Sequence, residues 1–83
     1  MSEILSAALD SRVSELSVAV DRQQWGRFDS RTREVHLEAK QSAQNEDLLN
    51  FAAIHTLKHG GDVHAVRSNE LPDASAAAAI YRF

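Results

Sequence analysis

The chain has 83 residues, no cysteine and a net charge of −3, with 43% hydrophobic and 25% charged residues. That length predicts one domain, and the ordinary globular composition excludes a disordered chain. The acidic balance argues against a general nucleic-acid binder. The lack of cysteine, of a basic leader and of an apolar run of about 20 residues predicts a cytoplasmic protein.

The first half of the chain predicts one helix and three strands. EILSAAL suits a short helix with Ser2 as its N-cap. ELSVAV alternates, so Leu16, Val18 and Val20 should share one buried face of a strand. QQWGRFD and REVHLE then predict two strands joined by a turn around DSRTR.

The second half begins with the helix whose two ends have the clearest sequence signals. Asn45 is its expected N-cap, and Gly60 is expected to end it in the left-handed conformation. One broad side of this helix carries apolar residues, namely Leu49, Ala53, Ile54 and Leu57.

The chain then closes with two more predicted strands. DVHAV is the first, and SNELPDA follows it as a loop because Pro72 cannot continue the pairing. AIYRF is the second, although the preceding alanine run is equally compatible with a helix. The order of elements predicts an α/β domain with a small mixed sheet of about five strands packed by helices.

Three of the four histidines fall within ten residues of one another. His55 and His59 share a helix face, and His64 follows two glycines at the start of a strand. A zinc site needs at least one further ligand, and HTLKH has Thr56 where a zinc protease needs its glutamate base. We therefore predict solvent-facing histidines, opposite Ala53 and Leu57, with no metal site.

Other catalytic patterns are missing from the sequence as well. It contains no Gly-x-Ser-x-Gly elbow, phosphate-binding glycine loop or dinucleotide fingerprint. The acidic residues Asp47, Asp62 and Glu70 suit caps or a solvated surface. We predict no enzyme activity, no catalytic residue and no cofactor.

The order of four weak motifs carries a family resemblance. WGRFDSRTREV, EDLLNFAAIHTLKHGGDVHAV and LPDASAAAAIYRF follow one another over roughly residues 12–83. The series resembles the C-terminal domain of the bacterial members of the archaeo-eukaryotic release factor family. Two departures are His64, where the family often has tyrosine, and VRSNELP, which replaces a more proline-rich loop.

The resemblance implies an α/β/α sandwich, like the third domain of eukaryotic release factor and Pelota, with a fold related to kink-turn-binding ribosomal proteins. In release factors this domain docks a translational GTPase, and a separate middle domain holds the Gly-Gly-Gln loop that promotes peptidyl-tRNA hydrolysis. Here Asp62, and not glutamine, follows Gly60 and Gly61. The hydrolysis activity of the Gly-Gly-Gln loop is therefore not expected of this chain. Residues 1–83 are thus expected to form a single domain, the C-terminal module of a release-factor-like protein, either excised or solitary.

Two functions follow as expectations. The first is a non-enzymatic interaction module of translation, whose partner is a translational protein or the ribosome. An apolar sheet face or edge left uncovered in so short a chain would also favour self-association or docking onto a preceding domain.

The second expectation is RNA binding by the basic and aromatic segment from Arg22 to Arg33. This segment carries a charge of +3, so the residues outside it total −6. Arginines neutralise phosphates, and an aromatic ring can stack on an unpaired base. The candidate RNA-binding residues are Arg22, Trp25, Arg27, Arg31 and Arg33, with Phe28 as a second stacking ring.

Overall fold

The computed structural model describes residues 1–72 and 75–82. Its helices and strands are, in chain order, α1 (Ser2–Leu9), β1 (Val13–Ala19), β2 (Trp25–Asp29), β3 (Glu34–Leu37), β4 (Glu46–Asp47), α2 (Leu48–Lys58), β5 (Asp62–Val66) and β6 (Ala77–Tyr81). A 3₁₀ turn, Ser68–Glu70, follows β5. Neither helix in the described ranges is long and apolar enough to cross a membrane.

The strands form two sheets of three strands each. In the first sheet β1 lies in the centre, parallel to β5 and antiparallel to β6. In the second sheet β2 lies between β3 and β4 and is antiparallel to both. The predicted α/β class is confirmed, but the single sheet of about five strands is wrong. The sixth strand was missed because β4 has only two residues, too few to show an alternating pattern.

Both helices lie on the same side of the first sheet. They contact each other, and each also contacts β1, which is incompatible with helices on opposite faces of one sheet. The second sheet packs against α2 through β2 and β4. The α/β/α layer order that the resemblance implied is therefore not the arrangement of the described residues.

The core lies where the two helices meet β1. Leu5 of α1, Leu48 of α2 and Leu16 of β1 are completely buried there. Val13 is buried as well, three residues before Leu16, because a β-bulge interrupts the pairing with β6 between Val13 and Glu15. The extra residue lets both apolar side chains face the helices, although Val13 lies before ELSVAV, the stretch for which alternation was predicted.

The two ends of α2 are fixed by local hydrogen bonds. The helix is capped by Asp47 instead of Asn45, because the Asp47 carboxylate accepts the backbone N–H of Leu49 at 3.0 Å. At the other end Gly60 has φ +84°, as predicted, and its N–H donates to the Leu57 carbonyl. The N–H of Gly61 donates to the Thr56 carbonyl at 2.8 Å, which completes a Schellman motif.

The side of α2 that faces the core differs from the predicted side. Leu48, Leu49, Ala52 and Thr56 are buried. Ile54 and Leu57 were predicted to be buried but are 50% and 60% exposed. The helix carries apolar residues on nearly every side, so helical periodicity did not determine which side packs against α1 and β1.

The C-terminal segment is a strand, as predicted, and not a helix, but β6 begins at Ala77, two residues earlier than the predicted AIYRF, and ends at Tyr81. In β6 the side chains of Ala77, Ala79 and Tyr81 pack against the core. The predicted loop residues Asp73 and Ala74, and the predicted strand end at Phe83, lie outside the described residues.

Candidate functional site

The arginines of the predicted RNA site differ in their surroundings. Arg33 reaches back to α1, where its guanidinium donates to Ser6 and lies 2.8 Å from the Asp10 carboxylate. Arg22, Arg27 and Arg31 are all exposed, and Arg27 pairs with Glu38 at 3.2 Å. Within the described residues, two of the four arginines therefore already bind carboxylates of the domain itself.

The aromatic residues of the same segment are half-buried. The Phe28 ring packs edge-on against Phe51 of α2, with ring centroids 5.5 Å apart. Trp25 opens β2, and its carbonyl accepts the N–H of Glu38. The Phe28 ring helps to join the second sheet to α2.

The candidate RNA-binding residues are also distributed over different surface depressions. Arg22 lines a groove at the carboxyl end of β1, Arg27 lies beside Phe28, and Arg33 lies near Met1. These three arginines therefore line three separate depressions.

The three clustered histidines occupy two different elements. His55 and His59 lie on α2 with ring centroids 6.3 Å apart. His64 lies on β5, where its Nε2 atom is 3.5 Å from a carboxylate oxygen of Glu15. Over residues 1–72 and 75–82, no group of three or more His, Cys, Asp or Glu side chains is placed to hold a metal ion.

His55 is not solvent-facing, contrary to the prediction. Its ring lies against Phe51, with centroids 4.3 Å apart, and it is half-buried. Its Nδ1 atom is buried without a hydrogen-bond partner. Burial, assisted by the positive charges of Lys58 and His59, lowers the pKa of His55 below the ordinary value of 6.5.

This environment predicts a pH-dependent stability. Because the unfolded chain binds the His55 proton more readily, the free energy of unfolding should fall as the pH drops below about 6.5 and level off below the lowered pKa. Urea unfolding at a series of pH values would measure the slope, which His55→Gln should flatten. His36 offers a matched control because its side chain is exposed. His36→Gln should leave the slope unchanged.

The carboxylates Asp21 and Asp29 do not interfere with this measurement. Backbone N–H donors lower the pKa of each below the ordinary 3.8, so their contribution to stability is lost only below about pH 4. A full slope remaining near pH 6 in His55→Gln would contradict the assignment to His55.

Exposed aliphatic side chains lie at the end of β1 and on the outer side of α2. Val20, which follows β1, is 64% exposed, and Ile54 and Leu57 of α2 are exposed to similar extents. Val20 was predicted to be buried. It lines an open groove of about 300 Å³ together with Val18, Leu49 and Ala53. Leu57 follows Ala53 by one helical turn, so the apolar surface continues along α2.

The chain matches no model of a known protein family and no curated protein. The candidate site therefore rests on the residues of this chain alone.

The sequence interpretation missed the groove, although the sequence contains a signal for it. The segment LLNFAAIHTL has apolar residues on more sides than contacts with one sheet and one neighbouring helix can bury. An excess of that kind indicates an apolar surface that stays exposed in the isolated domain.

Proposed function

We propose that this domain is a non-enzymatic interaction module of translation that binds a translational protein or the ribosome. The order of the motifs WGRFDSRTREV, EDLLNFAAIHTLKHGGDVHAV and LPDASAAAAIYRF, which resembles the C-terminal domain of bacterial release-factor-like proteins, supports the link to translation. The observation that carries the proposal of an interaction module is the exposure of Ile54 and Leu57.

These two side chains are neighbours on the surface of α2, since residues three apart on a helix lie side by side. Neither is required to fill the core, which Leu48, Ala52 and Thr56 already fill from the same helix. Large aliphatic groups that gather on one surface of so small a domain are typical of a protein-binding surface.

Sedimentation with purified bacterial ribosomes, followed by crosslinking, tests the proposal. We expect the domain to sediment with ribosomes or to crosslink to a translational protein. Leu57→Asp should weaken this association at least about tenfold, because a charged group would have to be desolvated in the interface. Leu37→Asp is the matched control, since Leu37 is 57% exposed on β3, in the second sheet, and its replacement should leave binding unchanged.

Two outcomes would count against this proposal. If the domain does not sediment with ribosomes and crosslinks to no ribosomal or translational protein, the proposal is contradicted. Association that Leu57→Asp leaves intact, but that high salt and Arg31→Ala both weaken, would instead support the alternative of RNA binding by the Arg22–Arg33 segment.

A further inference from the structure

Strand β6 forms an edge of the first sheet, where β1 is its neighbour on one side. The carbonyl of Ala76 accepts the N–H of Ala19 at 2.9 Å, and the N–H of Arg82 donates to the Arg12 carbonyl at 2.7 Å. Backbone groups alternate between the two sides of an antiparallel strand, so the even-numbered residues of this segment bond to β1. The odd-numbered residues point their N–H and carbonyl groups away from β1, namely Ala77, Ala79 and Tyr81.

Most of these outward groups have no partner in residues 1–72 and 75–82. The Ala77 carbonyl accepts the Ser75 hydroxyl at 3.4 Å. The outward N–H and carbonyl groups of Ala79 and Tyr81 make no hydrogen bond within those ranges. The edge of β6 therefore offers donors and acceptors to a further strand.

The other edge strands of the two sheets carry charged side chains, and β6 carries none. Charges and prolines on an edge strand discourage pairing with another chain. Asp62 lies on β5, Glu34 on β3 and Glu46 on β4. The sequence of β6 is AAAIY, with neither a charge nor a proline. Among the edges in the described part of the chain, β6 is therefore the one best suited to pair with another strand.

The side chains of β6 are complementary in size to a second copy of the same strand. In an antiparallel pair that uses all five residues of β6, the two-fold axis lies at Ala79. Tyr81 then lies opposite Ala77 of the second copy, and Ile80 lies opposite Ala78. On each face of the sheet a large side chain meets a small one, and no like charges are brought opposite each other. Ile80, which is 59% exposed, gains an apolar neighbour.

We propose that two copies of this domain pair through β6, antiparallel about a two-fold axis at Ala79, and so join their three-stranded sheets into one continuous sheet. The two Ala79 residues exchange N–H to carbonyl hydrogen bonds, and Ala77 and Tyr81 do so on either side of them. The axis is perpendicular to the sheet, so the helices of both copies lie on the same face. The inference does not rest on the proposed function, because Ile54 and Leu57 lie on α2.

Amide hydrogen exchange at low and high protein concentration tests the pairing residue by residue. The amides of Ala79 and Tyr81 should become protected as the concentration rises, because they acquire carbonyl partners only in the dimer. The amides of Ala78 and Ile80 already face β1, so their exchange should change far less. In a mixture of ¹³C-labelled and unlabelled chains, a nuclear Overhauser effect between the α-protons of Ala78 and Ile80 of different copies should identify the register.

Two variants separate this edge from other surfaces. Light scattering should give the wild type twice the 9.2 kDa mass of one chain at high concentration. Ala79→Pro removes an N–H that points away from β1, so it should give the mass of one chain. Ile80→Lys leaves the core untouched and brings two like charges together near the axis, so it should weaken the dimer at least about tenfold. Leu37→Lys, at a similarly exposed site on β3, is the control and should leave the dimer unchanged.

Circular dichroism verifies that each variant is folded. A wild-type mass of one chain at every concentration, up to that of the NMR sample, would overturn the inference. A dimer that persists in Ile80→Lys, with no added protection at Ala79 and Tyr81, would also overturn it, because the interface would then lie elsewhere. Leu57→Asp should leave the dimer intact, so failure of the ribosome experiment and failure of the dimer are measured separately.

Discussion

Leu16→Ala is expected to lower the free energy of unfolding by about 2–5 kcal/mol, the largest effect of any single substitution considered for this domain. Leu16 is completely buried where β1 meets both helices. Truncation removes its contacts and leaves a cavity that the surrounding Leu5 and Leu48 can fill only in part. A domain of this size has about 4–12 kcal/mol of total stability, so this loss is a large part of it and should lower the melting temperature by at least about 8 °C.

Ile80→Ala provides the control for this measurement. Ile80 lies on β6, in the same sheet, but it is 59% exposed and pairs with Glu15 on the face away from the helices. Its truncation should change the free energy of unfolding by less than about 0.5 kcal/mol. Urea unfolding curves of the two variants would measure the change in the free energy of unfolding for each. Equal losses would show that the core does not lie between β1 and the helices.

Gly61→Ala is expected to lower the free energy of unfolding by about 1–3 kcal/mol. A Cβ atom at Gly61 would lie 2.6 Å from the Val13 carbonyl oxygen and 2.7 Å from Cγ2 of Thr56. The first belongs to the backbone of β1 and the second to a buried side chain, so neither can move without disturbing the core. The close approach of α2 to β1 therefore requires a glycine at this position.

Gly60 provides a comparison that separates space from backbone conformation. A Cβ at Gly60 meets only the flexible Arg82 side chain, at 3.7 Å, but the residue has φ +84°. Gly60→Ala should therefore cost about 1–2 kcal/mol through backbone strain, and Gly60→Asn less, because asparagine tolerates the left-handed conformation. Thermal and urea unfolding would measure both. A Gly61→Ala variant as stable as wild type would contradict the observed packing.

Whether the Arg22–Arg33 segment is free to bind RNA depends on the surroundings of its side chains, which only the fold reveals. The basic segment from Arg22 to Arg33 suggested RNA binding, because arginines and aromatics alternate along it. In the structure Arg33 binds Asp10 and Arg27 binds Glu38, while Arg22 lies apart from both at the groove. Linear proximity along a hairpin did not predict these partners, because Asp10 lies 23 residues away from Arg33.

The sequence by itself determined the local features, because these depend on neighbouring residues. The helix stop at Gly60 and the strand that follows it were predicted from turn chemistry and residue pattern. A terminal strand was predicted as well, although the observed one begins inside the alanine run. The tertiary structure alone decided the division into two sheets, the buried side of α2 and the exposure of Val20. Each of these depends on which distant surfaces meet, and an apolar helix such as LLNFAAIHTL offers several sides of nearly equal hydrophobicity for that contact.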